Sequence, residues 1–163
     1  MKFILVDRIE SIEPGAKIVA IKALSLAEEY LADHFPAFPV LPGVMMLEAL
    51  TQSAAWLVRL KQNYAKSIII LSAARNVRYA NFVAPGRILR CELEAVEIGD
   101  SSAKFKGVGL VDGKSALNAR LELRCFNLAE TNPAMADADA AIVAQLKQRF
   151  TIVGGPAAMN SGQ

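Results

Sequence analysis

The sequence predicts an α+β domain in which a mostly antiparallel sheet wraps around one long buried helix. Three observations carry that expectation. From Pro42-Gly43 to about Gln62 the chain holds good helix formers, no internal proline and apolar residues on nearly every face, the pattern of a helix covered on all sides. From Ser67 onward it changes to apolar runs rich in β-formers and separated by turn residues, the pattern of successive strands. Between two of those runs stands Asp112-Gly113, a pair that favours a type I′ hairpin and hence antiparallel neighbours.

Taken in order, residues 3–8 and 16–23 read as two short strands around the turn Glu13-Pro14-Gly15. A loop follows with Pro36, Pro39 and Pro42 at three-residue spacing; three fixed φ values keep it stiff and extended, so helix cannot start before its end. After the helix, residues 67–73, 76–79, 87–98, 102–112 and 115–128 are expected strands, with a turn over Asn81–Gly86. Residues 1–130 are thus expected to form the main domain. Residues 131–163 are expected to add an amphipathic helix, Ala134–Phe150, and a flexible tail from Gly154 to Gln163.

A chain of 163 residues suits one domain, and 53% hydrophobic with 21% charged residues calls for a packed core rather than disorder. The net charge is only +2, with no basic run, which argues against a nucleic-acid partner. The apolar stretch Val44–Leu60 is broken by Glu48, Gln52 and Arg59, so no membrane span is expected. The apolar start, Phe3–Val6, is too short for a signal-peptide core, and a cytoplasmic protein is the default expectation. Cys91 and Cys125, far apart in apolar surroundings, read as buried free thiols, and no metal-binding spacing or cofactor motif is present.

The candidate chemistry centres on the single histidine, His34, and on Glu48. His34 stands directly before the stiff loop and ahead of a helix start whose free N–H groups can receive an oxyanion. A lone histidine can equally be structural. Glu48 lies in the first turns of the buried helix, where a carboxylate is costly unless paired, hydrogen-bonded or protonated. Thr51 and Gln52 share its face, and Arg59 continues the same stripe, so the strip either faces solvent or lines a site. An imidazole and a carboxyl in contrasting environments meet the needs of general acid–base catalysis. Gly43 at the helix start would offer its N–H to a carbonyl and, lacking a side chain, permit close approach.

The string His34-Phe35-Pro36-Ala37-Phe38-Pro39-Val40-Leu41-Pro42-Gly43-Val44, followed by Leu47-Glu48-Ala49 and Gln52, resembles the β-hydroxyacyl-acyl-carrier-protein dehydratases of the FabZ type. Weaker similarity over Leu5-Val6-Asp7-Arg8, Val83-Ala84-Pro85-Gly86, Phe105-Lys106-Gly107 and Leu110-Val111-Asp112-Gly113 extends it to roughly residues 3–128. The resemblance implies a hot-dog fold and a dimer whose sites pair His34 of one chain with Glu48 of the other, commonly as a trimer of dimers. It implies reversible dehydration of (3R)-hydroxyacyl-carrier protein to the trans-2-enoyl form, without metal or organic cofactor. His34 and Glu48 would be catalytic; Phe35, Gly43, Val44 and Gln52 would bind substrate. Glutamate at 48, where related dehydratase–isomerases carry aspartate, favours dehydration alone. Because the carrier protein is acidic, Arg75, Arg78, Arg87 and Arg90 are candidates for docking it. The chain departs from the pattern at Asp33, Ala37, Arg75 and Arg87. Two competing readings are a thioesterase on the same fold and a non-catalytic acyl-binding partner subunit.

Overall fold

The hairpin of β1 (Arg8–Glu13) and β2 (Lys17–Ala23) turns at Gly15, whose φ of 80° explains the glycine. The structure, a computed structural model, describes residues 3–160. After the proline loop, α1 (Gly43–Lys61) runs its full predicted length. Four long strands follow: β3 (Ile68–Tyr79), β4 (Ile88–Ile98), β5 (Ser102–Val111) and β6 (Lys114–Phe126). The six strands form one antiparallel sheet in the order β1-β2-β4-β5-β6-β3, which leaves β1 and β3 at its edges.

Alternating burial along β5 shows how the sheet receives the helix: Ala103, Phe105, Gly107 and Gly109 with Val111 face one way, and the residues between them are more exposed. Against that face α1 lays Leu50, Ala54, Leu57 and Val58, all fully buried. Burial of a leucine side chain is worth roughly 2 kcal/mol, more than the few tenths by which helix propensities differ, so packing fixes where α1 lies. Gly107 makes room for it, since a β-carbon there would stand 3.3 Å from Leu50 Cδ1. The β5–β6 hairpin closes at Asp112-Gly113 with both φ values positive, the geometry expected of a type I′ turn. Cys91 and Cys125 are buried free thiols.

Three segments differ from expectation. Residues 3–6 are irregular and the first strand starts only at Arg8, because Gln52 on α1 engages this segment in place of a neighbouring strand. The two expected strands over 67–79 are one, interrupted in register between Arg75 and Arg78, where Asn76 takes a φ of 53° and forms a bulge at an edge. The segment from Gly154, expected to be a flexible tail, instead turns at Gly154 (φ 78°) into a short helix α3 (Gly155–Asn160). Its Ala158 is only 3% exposed against β1, and the Ile9 N–H donates to the Val153 carbonyl at 2.8 Å. Small residues that suggest a tail by composition are what allow this close docking. Residues 161–163 lie outside the described range.

Between β6 and α3, α2 (Ala136–Ile152) packs across α1 through Phe150, whose ring lies 5.5 Å from that of Trp56. Phe150, Val153 and Ala158 belong to the same buried core as α1 and the sheet. Asp139 pins the first turn of α2: it accepts hydrogen bonds from Ser67 Oγ, from the Leu128 N–H at 2.9 Å and from the Ala129 N–H at 2.9 Å. No described helix is long and apolar enough to cross a membrane.

Candidate active site

His34 follows a 3-10 turn, Glu29–Ala32, that is fastened to the sheet by a buried lysine. Lys22 on β2 donates to Glu28 at 2.6 Å and to Asp7 at 3.3 Å, and its side chain is 4% exposed. Beyond His34 the proline loop is anchored by the buried Val40 and Leu41, with the Leu41 N–H donating to the Val83 carbonyl at 2.9 Å, and by Phe38 edge-on to Phe82 at 5.5 Å. His34 is half-buried, with its ring 4.3 Å from that of Phe35. It makes no hydrogen bond or ion pair among the described residues.

The loop delivers the chain into α1 at Pro42, which caps the helix without a side-chain bond, and no acidic residue occupies the first turn. The first N–H groups of α1, those of Gly43 and Val44, therefore have neither an intrahelical acceptor nor a cap and carry the positive end of the helix dipole. A β-carbon at Gly43 would lie 3.0 Å from the Tyr79 ring, so that ring walls the helix start. Phe35 is 53% exposed and Val44 72% exposed beside it.

Five residues on, Glu48 is half-buried and its Oε1 accepts from Gln52 Nε2 at 2.9 Å. Gln52 Nε2 also donates to the Phe3 carbonyl at 2.9 Å, and its Oε1 accepts from the Leu5 N–H at 2.9 Å. Both polar atoms of the Gln52 amide, expected from sequence to meet substrate, are thus engaged within the chain, with Glu48 and with the backbone of Phe3 and Leu5. Glu48 and Gln52 open into a cavity of about 220 Å³ lined also by Phe3, Trp56, Arg59 and Arg149. His34 is not part of that lining, and no hydrogen bond or ion pair joins His34 to Glu48 within one chain.

Arg59 and Lys22 were not picked out as site residues from sequence. Arg59 was legible only as the continuation of the Glu48–Gln52 stripe. Burial lowers its pKa to about 10; the Tyr64 phenol opposes the change and the Arg149 guanidinium adds to it. Of the four arginines expected at a docking surface, Arg75 pairs with Glu122 at 3.2 Å and Arg87 with Asp112 at 2.9 Å, while Arg90 pairs with Glu10 at 3.0 Å and Glu92 at 2.6 Å. Arg78 is exposed and has no ion-pair partner among the described residues.

Comparison with known proteins agrees with this architecture. Residues 1–120 match the family model described as a FabA-like domain. A protein named 3-hydroxyacyl-[acyl-carrier-protein] dehydratase FabZ from Clostridium acetobutylicum is 35% identical over 72% of this chain and 84% of its own. Its namesake from Caulobacter vibrioides is 40% identical over 72% of this chain and 75% of its own. Among solved structures, the dehydratase heterocomplex ApeI:P of Xenorhabdus doucetiae superposes with a TM-score of 0.67 at 17% identity, covering 82% of this chain and 90% of that one. The mutant thioesterase PA1618 of Pseudomonas aeruginosa superposes with a TM-score of 0.57 at 15% identity, covering 73% and 80%. At such identities both speak to the hot-dog fold alone, and it is the sequence relatives that separate dehydratase from thioesterase. With the helix start, the loop and Glu48 in the arrangement described, the chain belongs to the FabA-like family, among its FabZ-type dehydratases.

Proposed function

We propose that the protein removes water from a (3R)-3-hydroxyacyl group held as a thioester on acyl carrier protein, giving the trans-2-enoyl thioester, in fatty-acid or related lipid or polyketide synthesis. The observation that carries the reading is the uncapped start of α1, open at Gly43 and Val44, five residues ahead of a carboxylate held in place by Gln52. The thioester carbonyl receives these N–H groups, and charge that develops on its oxygen as the C2 proton leaves is stabilised by fixed donors that need no reorganisation. His34 takes the C2 proton. The C3–O bond then breaks, and Glu48 gives its proton to the departing hydroxyl, which leaves as water while the C2=C3 bond forms. The step leaves His34 protonated and Glu48 ionised, and transfer of that proton back to Glu48 through solvent resets the pair for the next turnover. Phe35 and Val44, exposed beside the helix start, line the approach of the substrate.

His34 and Glu48 have no contact within one chain, which supports a site built between two copies. β3 is an open edge carrying the exposed Ile70, and Phe35, Phe38, Val44 and Phe82 expose apolar surface near the loop; a second copy would cover such surface. In this reading the protein is a homodimer, assembled further as a trimer of dimers. Arg78 is the docking arginine left free to meet an acidic carrier protein, since the other three are already paired.

The test is hydration of a crotonyl thioester by purified His34→Ala and Glu48→Gln proteins, checked for unchanged circular dichroism and oligomeric state. Each is expected to lose activity by about 10²–10⁴-fold. Near-normal turnover in either variant overturns the assignment.

A further inference from the structure

The cavity behind Glu48 has a second polar end that the dehydration chemistry does not use. Glu48, Gln52 and Arg59 lie on one stripe of α1 and all line it. The Arg59 side chain leans back toward the helix N-terminus, its guanidinium carbon 5.0 Å from the centre of the Trp56 ring. Its Nε is buried with no hydrogen-bond partner, so the guanidinium is held in place at a cost in free energy. The second cation on the wall, Arg149 of α2, forms no ion pair among the described residues. Each arginine stands in the last turn of its helix, Arg59 on α1 and Arg149 on α2, where the dipole favours a cation, but the dipole gives the Arg59 Nε no hydrogen-bond partner. The remaining wall is Phe3, Ile4, Val6, Ile69 and Leu146, and its one carboxylate, Glu48, is held at the opposite end by Gln52.

Two arginines lining a small cavity without an acid between them can form a receptor for an oxyanion, and their planar forks suit a carboxylate. We propose that Arg59 and Arg149 bind the carboxylate of a slim organic acid at the far end of the Glu48 cavity. At about 220 Å³ the space falls below the roughly 300–1,000 Å³ of pockets that hold drug-sized ligands, so its occupant is small. Along α1 the Trp56 level, where the guanidinium sits, is roughly 12 Å from Glu48, within reach of a chain whose 3-hydroxyl lies at Glu48 and whose far end is a carboxylate. The acid is thus either the far end of the acyl group itself, a source that rests on the dehydratase reading, or a free small acid.

The experiment titrates the full-length protein calorimetrically with glutarate and, separately, with the neutral diamide of the same length. Glutarate is expected to bind and the diamide not. Arg149→Gln, at a partly exposed position and verified as folded by circular dichroism, is expected to weaken glutarate by about tenfold or more. The second arm compares kcat/KM for thioesters of 3-hydroxydecanoate and of the same chain ending in a carboxylate. A preference for the carboxylated chain that Arg149→Gln abolishes identifies the acyl group as the source. Glutarate binding without that preference identifies a free acid. Protein that hydrates crotonyl thioester but neither binds glutarate nor prefers the carboxylated chain overturns the anion site and leaves the dehydratase reading intact. Protein that binds glutarate but hydrates no thioester supports the anion site and overturns the dehydratase reading instead.

Discussion

Gln52 joins two parts of the chain that are distant in sequence, since one amide holds Glu48 on its own helix and the backbone of Phe3 and Leu5 in the N-terminal segment. Two of its three hydrogen bonds, those with the Phe3 carbonyl and the Leu5 N–H, stand in for the ones a sheet neighbour would have given residues 3–6, and that apolar stretch is not a strand. Each such bond contributes about 1 kcal/mol net, so Gln52→Leu is expected to lower stability by about 2–3 kcal/mol. The readout is the urea midpoint, which should fall with the slope of the transition unchanged. A midpoint equal to wild type would mean that the amide network adds nothing to stability. If Glu48 acts as proposed, dehydration by the same variant is expected to fall through kcat rather than KM, because the carboxylate is no longer held by the amide. Cys91, by contrast, has no part in chemistry: burial raises its thiol to about 12, leaving it protonated and inert.

Among the elements, α2 is tied at its first turn by one carboxylate, Asp139. Burial acts to raise the pKa of Asp139, but hydrogen bonds from Ser67 Oγ and from the Ala129 and Leu128 N–H groups outweigh it and hold the carboxyl below its ordinary value. A carboxylate whose pKa is depressed by folding adds stability that is complete above its unfolded pKa and disappears as pH falls through the lower, folded value. Thermal melts from pH 6 downward should therefore show the wild type losing stability below the ordinary aspartate value of 3.8. Asp139→Asn should be less stable at pH 6 and lack that part of the acid limb. Identical acid limbs in the two proteins would refute the pin. The bulge in β3 is a second feature of element scale. Asn76 with a φ of 53° offsets the pairing with β6 between Arg75 and Arg78, and it does so on an edge strand, where an interruption breaks the fewest hydrogen bonds.

At the scale of the whole molecule, the proposed pairing of His34 with Glu48 is a property of the assembly. If each site takes one residue from each copy, the two inactive single variants must complement. In a mixed dimer of His34→Ala and Glu48→Gln chains, one of the two sites holds an intact pair. Equal mixtures, unfolded and refolded together, should regain roughly a quarter of wild-type activity, as half the dimers are mixed and half their sites are whole. Mixtures as inactive as the parents would place the site within one chain or require another partner for it.

Much of the fold could be read from the chain. The extent of α1 follows from its all-round apolar character and the prolines before it, the β5–β6 turn from Asp112-Gly113, and the strand spans from the breaks between them. The same local information misread residues 3–6, divided β3 in two and took the residues of α3 for a tail. In each case a contact from elsewhere decides the outcome: Gln52 captures the N-terminal segment, pairing with β6 carries β3 through its bulge, and β1 offers small residues a surface to dock on.

Of the proposed site, His34, Gly43 and Glu48 are candidates that the sequence offers because a stiff loop, a helix start and a carboxylate in an apolar helix are local patterns. That the Gln52 amide is fully engaged, that the Arg59 Nε is buried without a partner, and that Arg149 lines the same cavity from a helix ninety residues on depend on packing. By itself the sequence determined the helix, most of the strands and the family motif, since propensity, turn geometry and periodicity act between near neighbours. Only the tertiary structure decided which polar groups of the α1 stripe are satisfied and which are left facing a cavity, because burial and charge depend on residues that the chain brings together only by folding.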